Sequence, residues 1–317
     1  MQTNIIMKDE LRAEVEAASG GKQTIIRTAK GQPSYFNILE RSDLPEHPAF
    51  LVNGVEKSEL FLGTYQAVIR DGEAVSLPGE DPSVNINFDQ ARAACLASGS
   101  GHHLMTNLEW ALIALISSAN GIDVRGNTNY GKSHSHPEEK GILAKGSSRI
   151  LTGSGPDSWR HDGTPFGIAD MTGNVWEWVD GLKLVSGEIV MPQDNDFNLP
   201  EAEWPGTGVF VDLVNDEPII SKKVTKTGQN GRYFKDVAAT EGFEVPEFIK
   251  QALLCPNEAS SALPGYYWAN NCEDFEAVPF RGGGWNNASN CGLAALSLNN
   301  QRSSVYSIIG FRPAFIE

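Results

Sequence analysis

Six histidines and four cysteines are the side chains of this chain best suited to hold a metal or move electrons. Cys95, Cys255, Cys272 and Cys291 lie far apart with no Cys-x-x-Cys pair, and so long a chain without a secretion signal is not one that disulfides hold together. His134-Ser135-His136-Pro137-Glu138-Glu139 collects ligand types, and His102-His103 adds two more. A charged loop bearing a proline is ordinarily solvated, so no metal is assigned there. Gly20-Gly21-Lys22-Gln23-Thr24 lacks the Gly-Lys-Thr adjacency and the upstream glycine of a phosphate loop, and no Gly-x-Ser-x-Gly elbow occurs. Cys291 stands among apolar neighbours, where a lone cysteine behaves as a small core residue. Catalytic chemistry is thinly provided for.

One stretch is unusual in the opposite sense. From Asn286 to Gly310 the only formal charge is Arg302, in a chain that is 21% charged. Asparagine, serine and small residues dominate, as in adaptable binding loops. Asn299-Asn300, Ser303-Ser304 and Tyr306-Ser307 break any period-2 or period-3.6 pattern. The residues alone leave two readings open: a polar irregular end to the fold, or a binding surface.

The bulk numbers narrow the classes. A chain of 317 residues with 40% hydrophobic content can bury one large core or two smaller ones. A net charge of −15 argues against a phosphate-backbone partner. No run of 18 apolar residues exists, so no transmembrane helix and no membrane insertion are expected. The first ten residues, from Met1 to Glu10, lack a basic region followed by an apolar one, so no signal peptide is expected. The expectation is synthesis in the cytoplasm; a role outside the cell then needs another exit, for instance as part of a virion tail, or other surface display.

Several elements can be placed around that stretch. Gly173-Asn174, a turn pair tolerant of positive φ, precedes Val175-Trp176-Glu177-Trp178-Val179, whose period-2 pattern points both indoles to one face. The expectation is a hairpin that nucleates a core beside a helix carrying Trp110. That helix starts at a Thr106-x-x-Glu109 capping box, is apolar on nearly every side and ends near Asn120-Gly121. Asn87 with Gln90 caps a second helix that buries Phe88, Ala91 and Cys95. Residues 8–19 read as a helix ended by Gly20-Gly21, and residues 22–39 as hairpin material. Residues 122–165 read as long surface loops. Between Trp178 and Arg281 lie strand-like residues 208–214 and a helix-like segment at 245–254.

The motifs also carry a resemblance. Gly167-Ile168-Ala169-Asp170-Met171-Thr172-Gly173-Asn174-Val175-Trp176-Glu177-Trp178 resembles the signature of the formylglycine-generating-enzyme (sulfatase-modifying-factor) branch of the C-type lectin fold. Leu104-Met105-Thr106-Asn107-Leu108-Glu109-Trp110 upstream agrees, as do Arg281-Gly282-Gly283-Gly284-Trp285 and Gly310-Phe311-Arg312 downstream. The resemblance implies an α+β fold of that lectin type over residues 44–317, with irregular loops and a long insertion at about 183–278. Residues 1–43 fall outside it and are read as a small attachment or oligomerisation extension. An oxidase of this family needs cysteines at the second and seventh residues past the aromatic. Here those positions are Asn287 and Gly292, and Cys291 is alone and out of register. The sulfoxide synthases of the same fold carry histidine ligands ahead of it, and residues 1–43 contain no histidine. The expectation is therefore not an enzyme, with a formylglycine-generating-type oxidase or another metal-dependent enzyme of this fold as the alternative.

The segment from Trp285 to Pro313 is also similar to the variable region of diversity-generating-retroelement target proteins. There, asparagine codons become NNC or NNT, a set that encodes no Lys, Glu, Gln, Met or Trp; between Asn286 and Gly310 only Gln301 breaks that rule. The resemblance implies a solvent-facing ligand site made of Asn286, Asn287, Asn290, Ala294, Ser297, Asn299, Asn300, Ser304, Tyr306, Ser307 and Ile308. Ile308 would then be an exposed apolar residue. Scaffold positions would be Trp285, Cys291, Leu293, Leu296, Leu298, Arg302, Gly310 and Phe311, with Trp110, Trp176 and Trp178 beneath. The implied partner is a protein or glycan on a cell surface, with room for an oligomer. No cofactor is implied, although some relatives hold calcium in their loops.

Overall fold

The computed structural model describes residues 9–317, so the Lys8 end of the first expected helix and most of the segment read for a signal peptide lie outside the described residues. The class is α+β, as expected: four α-helices and three larger sheets among the described residues. The helices are α1 (Glu10–Ser19), α2 (Phe88–Ala97), α3 (Asn107–Ala119) and the short α4 (Glu247–Gln251). None is long and apolar enough to cross a membrane.

The first sheet joins the two ends of the chain. Gln23–Arg27 pairs with Pro33–Glu40, which pairs with Glu59–Gly63, then Pro313–Phe315, then His102–Leu104. The N-terminal hairpin is thus no separate extension, and residue 43 marks no structural boundary. A strand with an unpaired edge is stabilised by joining a sheet, and Glu59–Gly63 supplies that edge. The stretch 183–278 is likewise built in rather than appended. It folds its own five-stranded sheet and adds Gln229–Tyr233 and Tyr266–Asn270 to the central one.

That central sheet runs Gln229–Tyr233, Tyr266–Asn270, Gly292–Leu298, Phe280–Gly282, Trp176–Trp178, Ile309–Phe311. The tryptophan strand is not a hairpin arm. It lies between Phe280–Gly282, antiparallel, and Ile309–Phe311, parallel. The turn before it does take the expected left-handed backbone, with φ of 77° at Gly173 and 61° at Asn174. A Cβ on Gly173 would stand 2.2 Å from the Asn127 carbonyl, so the close approach needs glycine. The Asn174 side chain donates to Gln66 Oε1 at 2.7 Å and accepts from the Ile150 amide at 2.8 Å.

Both caps read from the sequence form: Asn87 with Gln90 for α2, Thr106 with Glu109 for α3. Trp110 is fully buried, and its indole N–H donates to the Leu293 carbonyl at 2.8 Å. Trp176 and Trp178 are buried too, but not beside it. They belong to a second cluster with Phe88, Phe280, Ile309 and Phe311. Trp178 meets Phe88 and Phe280 edge-on with centroids 6.0 and 5.1 Å away, and Trp176 meets Phe280 at 5.0 Å. The alternation turns Glu177 to the other face, where it takes Arg312 at 2.8 Å in a fully buried pair.

Candidate ligand-binding face

The uncharged stretch divides into a strand and two loops. Gly292–Leu298 is buried at every residue. Its neighbours Tyr266–Asn270 and Phe280–Gly282 cover both edges. Its side chains feed both cores, Leu293, Ala294, Leu296 and Leu298 one and Ala295 the other. Ala294 and Ser297, expected at the solvent-facing site, are therefore interior residues, at 0% and 2% exposure. The Ser297 hydroxyl accepts from Asn300 Nδ2 at 3.2 Å and donates to Asn299 Oδ1. That knot leaves Asn299 and Asn300 half-buried where the strand ends.

The loops at 285–291 and 299–308 carry the rest. Asn286, Tyr306 and Ser307 are exposed; Asn287, Asn290 and Ser304 are half-buried. Asn287 is latched in place: its Oδ1 accepts from the Trp176 indole N–H and from the Gly284 amide, both at 2.9 Å. Ile308 is half-buried rather than exposed. Its Cδ1 lies 2.5 Å from where a Cβ on Gly284 would stand, so the missing side chain makes its seat. Trp285, expected in the scaffold, is half-buried at the surface. Its ring meets Tyr130 edge-on at 4.8 Å, and its Nε1 has no hydrogen-bond partner.

Main-chain bonds fix the loops. The Trp285 amide donates to the Asn174 carbonyl and the Trp285 carbonyl accepts from Tyr130, both within 3.0 Å. Ala288 donates to Thr128 at 3.0 Å. The carbonyls of Asn300, Arg302, Tyr306 and Ile308 accept from the amides of Val278, Phe88, Asn85 and Trp176 at 2.8–3.1 Å. None of these bonds depends on which side chain the loop residue carries. Arg302, like the Asn287 latch, is a side chain that does anchor. Its guanidinium reaches Asp89 at 2.7 Å, Glu201 at 3.0 Å and Glu276 at 3.5 Å, and lies over the Phe88 ring.

Several of the groups that could do catalytic chemistry are buried or bonded elsewhere. Cys291 is buried, its thiol donates to the Gly284 carbonyl at 3.2 Å, and burial pushes its pKa up to about 12. His102 packs against Phe36 and Phe315, where burial, helped by His103, pushes its pKa down to about 4. His103 stacks on Phe197 and pairs with buried Glu109 at 2.9 Å. His134 is exposed and bonds to Thr128 Oγ1 at 2.8 Å. Glu139 takes Arg125, Trp159 and Ser158, and the arginine above all holds its pKa down to about 2. Among the described residues no three His, Cys, Asp or Glu side chains converge as a metal site would require.

No family model and no curated protein matches the chain. Among solved structures it is similar to the Major Tropism Determinant U1 variant, at 14% identity and TM-score 0.37, over 91% of this chain and 54% of that one. It is also similar to PvdO from Pseudomonas aeruginosa, at 13% identity and TM-score 0.39, over 92% and 97% of the two chains. Treponema denticola variable protein 1 is similar at 13% identity and TM-score 0.36, over 92% and 98%. The chain thus spans about half the length of the tropism determinants it matches. Likenesses of this degree assign neither fold nor function by themselves.

Tyr130 is the residue of this face that sequence reasoning missed. It is 59% exposed, with φ at 51°, in the long loop region. Its one local signal is Asn129-Tyr130-Gly131, a turn-like triplet holding an aromatic.

Proposed function

We propose that this chain is a recognition protein, binding a protein or glycan on a cell surface through the loops at 285–290 and 299–308. The observation that carries the reading is the division of labour in those loops: main-chain bonds fix the backbone while Asn286, Tyr306 and Ser307 present side chains to solvent. A face built this way tolerates exchange of its side chains, as diversification of asparagine codons by a retroelement demands. Asn290, Asn299, Asn300, Ser304 and Ile308 form its half-buried rim, and Asn287 is held back as a latch. The proposal calls on no cofactor and no catalysis; calcium would be an addition to the loops. It places the protein on a virion or another surface, and an oligomer would multiply the contacts.

The test is a display library randomised at the exposed positions and at Asn290, Asn299, Asn300 and Ser304, with Ile308 kept because its side chain is packed, and screened on intact cells. Folded display across most of the library, with cell specificity that follows the loop sequence, is the expected result. Widespread loss of folding would refute the proposal. A near-identical repeat in the encoding DNA with adenine mismatches, beside a reverse-transcriptase gene, would identify the source of diversity. The oxidase alternative requires stoichiometric copper(I) uptake lost on Cys291→Ser, and the buried thiol is expected to take up none.

A further inference from the structure

Beside the proposed face lies an exposed patch that recognition by the loops at 285–290 and 299–308 does not use. Tyr130, Ile142 and Leu143 are 59%, 63% and 52% exposed, in a region where Trp285 already touches Tyr130. Leu143 folds over Gly131, its Cδ2 2.7 Å from where a Cβ would stand, which sets it next to Tyr130. Large apolar side chains gathered at a surface mark an interaction site more often than scattered ones do.

The charges of the same loop point to what would cover it. Lys132 and Lys140 oppose one another across an isolated antiparallel bridge. Like charges set opposite each other destabilise a strand pair. Neither, nor exposed Lys145, has a carboxylate within ion-pair distance among the described residues, in a chain of net charge −15. The neighbouring Arg125 and Arg149 are neutralised by Glu139 and Asp81, and between residues 130 and 145 Glu138 is the one exposed carboxylate without a cation.

We infer that residues 130–145 form a fixed anchor beside the changeable loops, and that the anchor takes a protein surface whose carboxylates surround an apolar contact. This rests on the recognition role proposed above. A lipid surface fits less well. A loop that enters a membrane leads with its apolar residues, as an interfacial helix buries its apolar face. Here the turn at 145–148, Lys145-Gly146-Ser147-Ser148, is polar, and Ile142 and Leu143 precede it in the chain. Their backbone is held by the Leu151 amide on the Ile142 carbonyl and by the isolated Leu143–Ile150 bridge.

The test displays the chain with Asn286, Asn290, Asn299, Asn300, Ser304, Tyr306 and Ser307 randomised, and selects on ovalbumin, an acidic protein, and lysozyme, a basic one. Binders to ovalbumin should outnumber binders to lysozyme by about tenfold, and Lys140→Glu with Lys145→Glu should abolish that preference. In single clones, Ile142→Ser with Leu143→Ser should weaken ovalbumin binding by about tenfold or more at an unchanged melting temperature. Binders indifferent to both pairs of changes would overturn the anchor and leave the variable face standing. No binders to either protein would overturn the face and the anchor with it. Capture of phosphatidylglycerol vesicles by the parent chain, lost with Ile142→Ser and Leu143→Ser, would overturn the protein partner in favour of a membrane.

Discussion

Gly292–Leu298 and the loop at 299–308 are neighbours in sequence, alike in small neutral residues, and opposite in how they are held. The strand is buried at all positions and fills two cores with its side chains. The loop keeps its place through the carbonyls of Asn300, Arg302, Tyr306 and Ile308, which accept from amides of other elements. Side-chain packing makes identity matter at each position, because interiors are close-packed and feel a single methylene. Main-chain bonding makes identity matter little. A protein that must vary its surface and keep its fold needs both kinds of segment, side by side.

The largest expected effect tests the packed half. Phe311→Ala, a fully buried ring in the cluster of Trp176, Trp178 and Phe88, should cost about 3–5 kcal/mol in denaturant unfolding. Leu296→Ala should cost about 2–5 kcal/mol by the same measure. A loss under about 1 kcal/mol at either site would erase the contrast with the loop.

The two halves also differed in how far the sequence announced them. The caps at Asn87 and Thr106 and the turn at Gly173-Asn174 were legible because each is a local bargain between a side chain and nearby backbone. The burial of Ala294 and Ser297 was not. A strand covered on both faces shows no alternation, and alanine and serine do not advertise burial. Pairing of residues 33–40 with 59–63, and of those with the C-terminal strand, leaves no local trace, so the hairpin looked like an appendage. Trp176 and Trp178 were rightly expected to be buried, but which core they join is set by Phe88 and Phe280, distant in sequence. Ile308 is half-buried rather than exposed for the same reason: its seat depends on the bare Gly284.

Acidity separates the halves next. Asp170 is buried behind the tryptophan strand, and burial raises its pKa from 3.8 to about 6. A raised folded pKa means that the stability tied to its proton is whole below about pH 4 and is lost as pH rises through about 6. At pH 8 the chain carries the full cost of an ionised buried carboxylate. Asp170→Asn, at a backbone φ of 61° that asparagine accepts, should therefore stabilise by about 1–3 kcal/mol at pH 8 and by little below pH 4. The loop holds no acidic group, so Tyr306→Ala should keep the parent pH profile. A parent-like profile for Asp170→Asn would remove this distinction.

Arg302 is where the loop depends on a charged side chain, as it depends on the packed Ile308 at its end. It meets Asp89, Glu201 and Glu276 while about a third exposed, so Arg302→Ala should cost only about 1 kcal/mol, less at high salt. Hydrogen exchange should speed up at residues 301–308 and stay unchanged in Gly292–Leu298. Faster exchange in the strand would mean that the two segments are one cooperative unit.

The smallest expected change in stability is at Tyr306, where the proposed function is most exposed to test. Its ring is half exposed, while its carbonyl holds the Asn85 amide at 3.1 Å and the Ile309 amide at 3.2 Å. Alanine keeps both bonds, so Tyr306→Ala should shift unfolding by no more than about 0.5 kcal/mol. A tyrosine at the centre of an interface can nevertheless be worth about 2 kcal/mol or more in binding. Clones selected with Tyr306 intact should then lose roughly thirtyfold or more in affinity on its removal, since each 1.4 kcal/mol is about tenfold. Ile308→Ser is the control, because that side chain packs on Gly284 and against the tryptophan cluster and should destabilise the fold where Tyr306→Ala does not. If Tyr306→Ala melts the protein as Ile308→Ser does, the ring is holding the loop, and a face meant to change its side chains would not be built on it.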